Sequence, residues 1–172
     1  MEPINNTPFK YITDKYLYNF VYINWIAAHM PAAKIIHCRR SPMDNILSMY
    51  RSNLAAGNNY TSKPEDAAKI LIAHEQAMQI QKKRHPKKIF TFDYDEFVSA
   101  PEANLPKILE WLGLEFDQRY LHPEKSKRSV NTASVMQARK PISNKSVGGW
   151  KNYERLLKPA LRIFQESGLL IE

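Results

Sequence analysis

The sequence predicts an α/β domain, a parallel sheet layered between helices. Residues 34–38, Lys-Ile-Ile-His-Cys, form a short β-branched run with the pattern of a strand covered on both faces. Ser41-Pro42-Met43-Asp44 follows at once and spells a helix start: an N-cap serine, a proline at the first helical position and an acid at the third. Residues 88–94, Lys-Ile-Phe-Thr-Phe-Asp-Tyr, alternate like a second strand, and a long helical stretch opened by Pro64 separates the two.

The other elements can be placed in order. Residues 9–13 read as a short strand ending at Asp14-Lys15. A helix over residues 19–30 carries Phe20, Ile23, Trp25, Ile26 and Ala27 and stops at Pro31. Residues 55–60, with Gly57 and two asparagines, are a loop. The helix from Pro64 should run to Arg84, where Lys82, Lys83 and Arg84 suit the negative end of its dipole. Ser99-Ala-Pro-Glu102 spells a capping box for a helix that Gly113 ends and that Pro106 should kink or split. Residues 117–129 are polar and basic, a mobile surface stretch. Tyr153, Leu156, Leu157, Ala160, Leu161 and Phe164 mark the core face of a last helix, with Pro159 opening its second half and Gly168 closing it.

Composition bounds the function. A chain of 172 residues makes one domain able to bury a core, and its 44% hydrophobic and 24% charged content is that of a globular protein. A formal charge of +8 favours an anionic ligand, whether nucleotide, nucleic acid or acidic surface. Cys38 is the only cysteine, which excludes a disulfide framework and a cysteine metal site and makes it a small buried hydrophobe in its strand. The N-terminus lacks the pattern of a signal peptide, and Asn19, Asn24, His29, Pro31 and Lys34 interrupt the longest apolar region, so no membrane span and a cytoplasmic location are expected. His74 lies within a helix and receives no chemical role.

In open α/β sheets ligands bind at the carboxyl ends of strands, where this chain places Arg39 and Arg40. Ser48 lies two turns into the next helix, within reach of a phosphate shared with an arginine. A strand-arginine-helix junction also occurs without any ligand. Arg40, Asp44 and Ser48 together spell Arg-x-x-x-Asp-x-x-x-Ser, which resembles the 3′-phosphate signature of sulfotransferases that use 3′-phosphoadenosine 5′-phosphosulfate (PAPS). The surrounding Ile-His-Cys-Arg-Arg-Ser-Pro-Met-Asp looks most like the bacterial tetratricopeptide-repeat-linked branch, with tyrosylprotein sulfotransferases as relatives. Ser41 stands where that branch usually has aspartate and keeps the N-cap chemistry.

Further segments of the same pattern follow in order. Asp93-Tyr-Asp-Glu-Phe97 resembles the family element whose tyrosine sits by the adenosine and 3′-phosphate, a place taken by Tyr94. Ser134, Gln137-Ala-Arg-Lys-Pro141 and Ser146-Val-Gly-Gly-Trp150 look like the carboxyl-terminal cofactor loop. The resemblance implies that Ser134, Arg139 and Lys140 close over the phosphates and that Trp150 packs the next helix or the adenine edge. Thr-Asp-Lys before Asn19-Phe20 resembles another stretch, which implies Asp14 as general base and Lys15 as its electrostatic partner. Sulfuryl transfer needs an acceptor proton removed and a leaving oxygen neutralised, and a carboxylate beside an ammonium suits both. A plain surface Asp-Lys pair fits the same residues.

The resemblance implies a three-layer, P-loop nucleotide-kinase-like sulfotransferase fold over residues 1–172, with strands near residues 10–13, 34–38 and 88–93. The implied co-substrate is PAPS, the product is 3′,5′-adenosine bisphosphate (PAP), and no metal is needed because lysine and arginine neutralise the charge. Full-length relatives also carry a Gly-x-Pro-Arg-Ser-Gly-Thr-like loop around the 5′-phosphosulfate, and none of the five glycines here lies in such a setting. The expectation is therefore a truncated sulfotransferase domain, its first strand and phosphate loop supplied by an upstream segment or a second chain. Losing one oxyanion donor typically lowers a rate by about 10²- to 10³-fold, so the isolated chain should be nearly inactive. The alternative is a degenerate, non-catalytic binding module. No nucleic-acid-binding signature accompanies the basic charge.

Overall fold

A computed structural model describes residues 11–52, 57–126 and 140–169. The chain divides into two compact units, residues 1–33 and 34–172. In the first, the residues from Tyr11 to Tyr16 are irregular, a single 3₁₀ turn spans Asn19–Tyr22, and helix α1 spans Ile23–His29. The expected strand near residues 10–13 is thus absent from its described part: Ile12 is 89% exposed, and no neighbouring strand there pairs with its backbone. The helix expected over residues 19–30 begins one 3₁₀ turn late.

The second unit holds strand β1 (Ile35–Arg39), α2 (Pro42–Ser52), α3 (Pro64–Arg84), β2 (Ile89–Asp93), α4 (Tyr94–Ser99), α5 (Pro101–Leu112) and α6 (Glu154–Ser167). Among the described residues the sheet is the parallel pair β1 and β2, in register from Ile35 opposite Ile89 to Arg39 opposite Asp93. Alternation sends neighbouring side chains to opposite faces. His37 therefore meets Glu75 of α3, whereas Phe90, which pairs with Ile36, meets Trp111 of α5 at 5.3 Å between ring centroids. Helices on both faces of a parallel sheet make the expected three layers.

The larger core lies among helices. Met43, Ile46 and Leu47 of α2, Ala67 and Ala68 of α3, and Leu157, Ala160 and Phe164 of α6 form one buried cluster, with Trp150 packed against it. The alanines let α2 and α6 approach α3 closely. By contrast β1 is not covered on both faces: Ile36 is 40% exposed, and Cys38, expected to be buried, is exposed.

Local signals fared unevenly. Pro64 opens α3, and Gly113 and Gly168 close α5 and α6 in the left-handed conformation, as the sequence indicates. The capping box at Ser99 does not form: Ala100 caps α5, and the Ser99 hydroxyl donates to the Asp95 carbonyl at 2.7 Å, finishing α4 instead. Pro106 and Pro159 lie inside unbroken helices. Residues 118–121 and 123–125, within the expected mobile stretch, are short 3₁₀ turns, the first capped by the Asp117 carboxylate accepting from the Arg119 amide at 2.8 Å.

Candidate functional site

The corner where β1 ends and α2 begins is built around two carboxylates. Asp44, on the first turn of α2, is 2% exposed. It does not turn back to the Ser41 amide as a capping box would. Its Oδ2 accepts from the Gly148 amide at 2.7 Å and its Oδ1 from the Trp150 amide at 2.8 Å, binding a turn more than a hundred residues away in sequence. The Ser41 amide donates instead to Asp95 Oδ2 at 2.7 Å. Asp93 caps α4 by accepting from the amides of Asp95 and Glu96, both at 3.0 Å, which fixes Asp95 for that contact.

Arg40 lies between these anchors. Its Nη2 donates to the Ser146 carbonyl at 2.8 Å, its Nε stands 3.6 Å from Asp95 Oδ1, and its guanidinium lies 5.1 Å from the centroid of the Tyr94 ring. Strand β1, helix α4 and the Ser146 turn thus hold one arginine by a hydrogen bond, an ion pair and a cation–π contact. The Arg40 side chain remains 21% exposed. Its Nε is buried against Asp95, while among the described residues one Nη2 hydrogen bond is made, so the remaining Nη donors are left for an anion. Ser48 is exposed on α2.

Of the residues singled out from sequence, Arg40 and Tyr94 come together directly, and Ser48 lies on the helix that Arg40 precedes. Lys140 is exposed. Ser134 and Arg139 lie outside the described residues. Asp14 and Lys15 belong to the N-terminal unit, where both are exposed and Asp14 Oδ2 accepts from Asn19 Nδ2 at 2.9 Å. Trp150 serves the helical core with its ring and Asp44 with its amide. Two shallow surface depressions, one lined by Tyr60, Lys63 and Asp66 and the other by Tyr153 and Arg155, include neither Arg40, Ser48 nor Tyr94.

A second polar group lies on the α3 side of β1. His37 is 5% exposed, and its Nε2 stands 3.7 Å from Glu75 Oε1. His74 Nδ1 stands 3.8 Å from the same oxygen, and Arg39 Nε lies 3.5 Å from Glu75 Oε2. Burial pulls the His37 imidazolium down to a pKa of about 4, opposed by the Glu75 charge and helped by His74, Arg39 and Lys82. Burial works against ionising Glu75, yet the adjacent His74 ring and the charges of His37 and Arg39 hold its carboxyl below the ordinary value. Sequence reading passed over this group because a strand histidine and a mid-helix His-Glu pair have no common spacing.

The model of the Sulfotransferase family matches residues 4–118. The chain belongs to that family. Sequence similarity to an uncharacterized protein of Aquifex aeolicus (strain VF5) reaches 36% identity over 159 residues, 91% of this family member but 21% of the relative. The solved sulfotransferase domain from the curacin biosynthetic pathway superposes with a TM-score of 0.64 at 17% identity, over 89% of this chain and 59% of that one. At that identity the likeness shows the fold, an α/β sulfotransferase domain. The chain spans about a fifth of the curated relative's length and somewhat over half of the solved domain's. Among the described residues no helix is long and apolar enough to cross a membrane.

Proposed function

We propose that this chain supplies the part of a PAPS-dependent sulfotransferase that recognises the donor's 3′-phosphate and adenosine. The observation that carries the reading is Arg40, a partly exposed guanidinium held at the carboxyl end of β1 over the Tyr94 ring, with donors left over. Arg40 pairs the 3′-phosphate, the exposed Ser48 hydroxyl donates to it, and Tyr94 offers a flat face beside the adenosine. Arg139, Lys140 and Ser134 complete the phosphate contacts.

PAPS supplies an activated sulfuryl group, whose S–O bond to the 5′-phosphate breaks as a bond to an acceptor hydroxyl or amine forms. Asp14 takes the proton lost by the acceptor, and the Lys15 ammonium offsets negative charge at the leaving oxygen. The work of the Arg40 corner is orientation: a phosphate gripped at one end of the nucleotide fixes where the other end lies. The basic balance of the chain, +8 at neutral pH, favours such an anion over other small molecules.

Calorimetry with PAP and with 5′-AMP tests the reading. PAP should bind more tightly, by about 10- to 100-fold if the charge-assisted contacts contribute their usual 1.5–3 kcal/mol. Arg40→Ala should remove most of that preference while leaving 5′-AMP affinity nearly unchanged. Equal affinity of the unaltered chain for the two nucleotides would sink the assignment and leave a non-catalytic binding module as the better account.

A further inference from the structure

We propose that His37, His74 and Glu75 form a binding site for a divalent transition metal, Zn²⁺ by its donor set, which clamps α3 onto β1. One ligand atom from each residue lies within 4.8 Å of the other two, and Glu75 Oε1 is 3.7 Å from His37 Nε2 and 3.8 Å from His74 Nδ1. Zinc bonds to such atoms are about 2.0–2.2 Å long, which sets tetrahedral ligands about 3.4 Å apart. Closing the cluster needs shifts of a few tenths of an ångström on its short edges and up to about 1.4 Å on its longest.

The second observation is the state of His37. It is 5% exposed, and neither Nδ1 nor Nε2 has a hydrogen-bond partner among the described residues. A buried imidazole normally satisfies at least one ring nitrogen, and an orphan of this kind points to an ion or water that completes it.

Chemistry narrows the ligand. Two imidazole nitrogens and one carboxylate oxygen suit zinc and its neighbours, whereas calcium and magnesium prefer oxygen alone. Arg39 engages Glu75 through Oε2, leaving Oε1 directed at the histidines, the arrangement by which an outer partner orients a ligating carboxylate. Arg39 and Lys82 are the cations that act on His37, and their repulsion of a dication should hold the affinity in the micromolar range rather than lower. Three protein ligands leave a fourth position for water. The reading depends on the described geometry of β1 and α3 and is independent of the nucleotide assignment.

The test uses the tag-free full chain, stripped with chelator and titrated with Co²⁺ and then Zn²⁺. The expected result is one metal per chain, visible d–d absorption of low-coordinate Co²⁺, and displacement by Zn²⁺ with a rise in melting temperature. X-ray absorption of the zinc form should show a light-atom shell with imidazole scattering. His74→Ala and Glu75→Gln remove ligands and should weaken binding by more than about 100-fold, beyond the 10- to 100-fold typical of an outer-shell change. His29→Ala, in the other unit, should leave it unchanged. Failure of the unaltered chain to bind at tens of micromolar metal, octahedral Co²⁺ spectra, or full retention of binding by both ligand variants would each overturn the site.

Discussion

Asp44 and Glu75 are carboxylates on neighbouring helices of one bundle, and they are used in opposite ways. Both Asp44 oxygens receive backbone amides, at 2.7 and 2.8 Å. Around Glu75 the ion-pair distances are 3.5 to 3.8 Å, and neither ring nitrogen of His37 beside it has a hydrogen-bond partner among the described residues. The first is a finished joint that fixes the Ser146 turn against α2. The second is a looser polar group beside a buried imidazole whose ring nitrogens have no hydrogen-bond partner among the described residues, an unusual state in a folded chain. Arg40 falls between them, with one donor committed and others in reserve.

Removing the Asp44 side chain should have the largest effect. Asp44→Ala leaves the Gly148 and Trp150 amides unpaired in a part-buried joint, and each orphan costs about 1–3 kcal/mol, so urea unfolding should show a loss of about 4 kcal/mol. Asp44→Asn keeps one acceptor oxygen and should lose about half as much. A loss under ~1 kcal/mol for Asp44→Ala would mean that the joint contributes little.

Acid should act next, through His37. Its folded pKa, about 4, lies below the 6.5 of the exposed imidazole, so the unfolded chain binds the extra proton first as pH falls. Stability from this group is complete above about pH 6.5 and drains away between there and pH 4, by roughly 3 kcal/mol at about 1.4 kcal/mol per pH unit. The groups that bear on it are Glu75, His74, Arg39 and Lys82. His37→Gln should flatten the unfolding free energy across that window; an unchanged slope would mean that other groups govern it. Saturating Zn²⁺ should steepen the same slope, because protons compete for the ligands.

Backbone conformation gives a smaller effect. Gly148 holds φ at 72°, where a side chain is strained, so Gly148→Ala should destabilise by about 1–2 kcal/mol and loosen the carbonyl that holds Arg40 two residues earlier. Ser48→Ala should be smallest of all. The residue is exposed, and stability should change by less than about 0.5 kcal/mol while any preference for PAP over 5′-AMP falls. A stability loss comparable to that of Gly148→Ala would mark Ser48 as structural.

Much of the scaffold was legible. Residues 35–39 and 89–93 are strands, and 64–84 is a helix, because each carries its own periodicity and end signals. That Arg40 and Tyr94 share one edge of the sheet was legible because the ends of parallel strands converge there. Their mutual contact was not, nor the hold of the Ser146 carbonyl on Arg40. Residues 11–13 fooled the reading for a related reason: an apolar alternation becomes a strand only where a neighbour supplies hydrogen bonds.

The sequence by itself determined which segments coil and which extend, where Pro64 starts a helix and Gly113 and Gly168 end one, and which strand end bears the arginines. Those choices depend on torsions and side-chain spacing within a few residues. Tertiary structure alone decided that Asp44 serves Gly148 and Trp150 rather than Ser41, and that His37 meets His74 and Glu75. A carboxylate or imidazole is completed by whichever partner the packed chain brings within about 3 Å, and nothing in the local spacing specifies that partner.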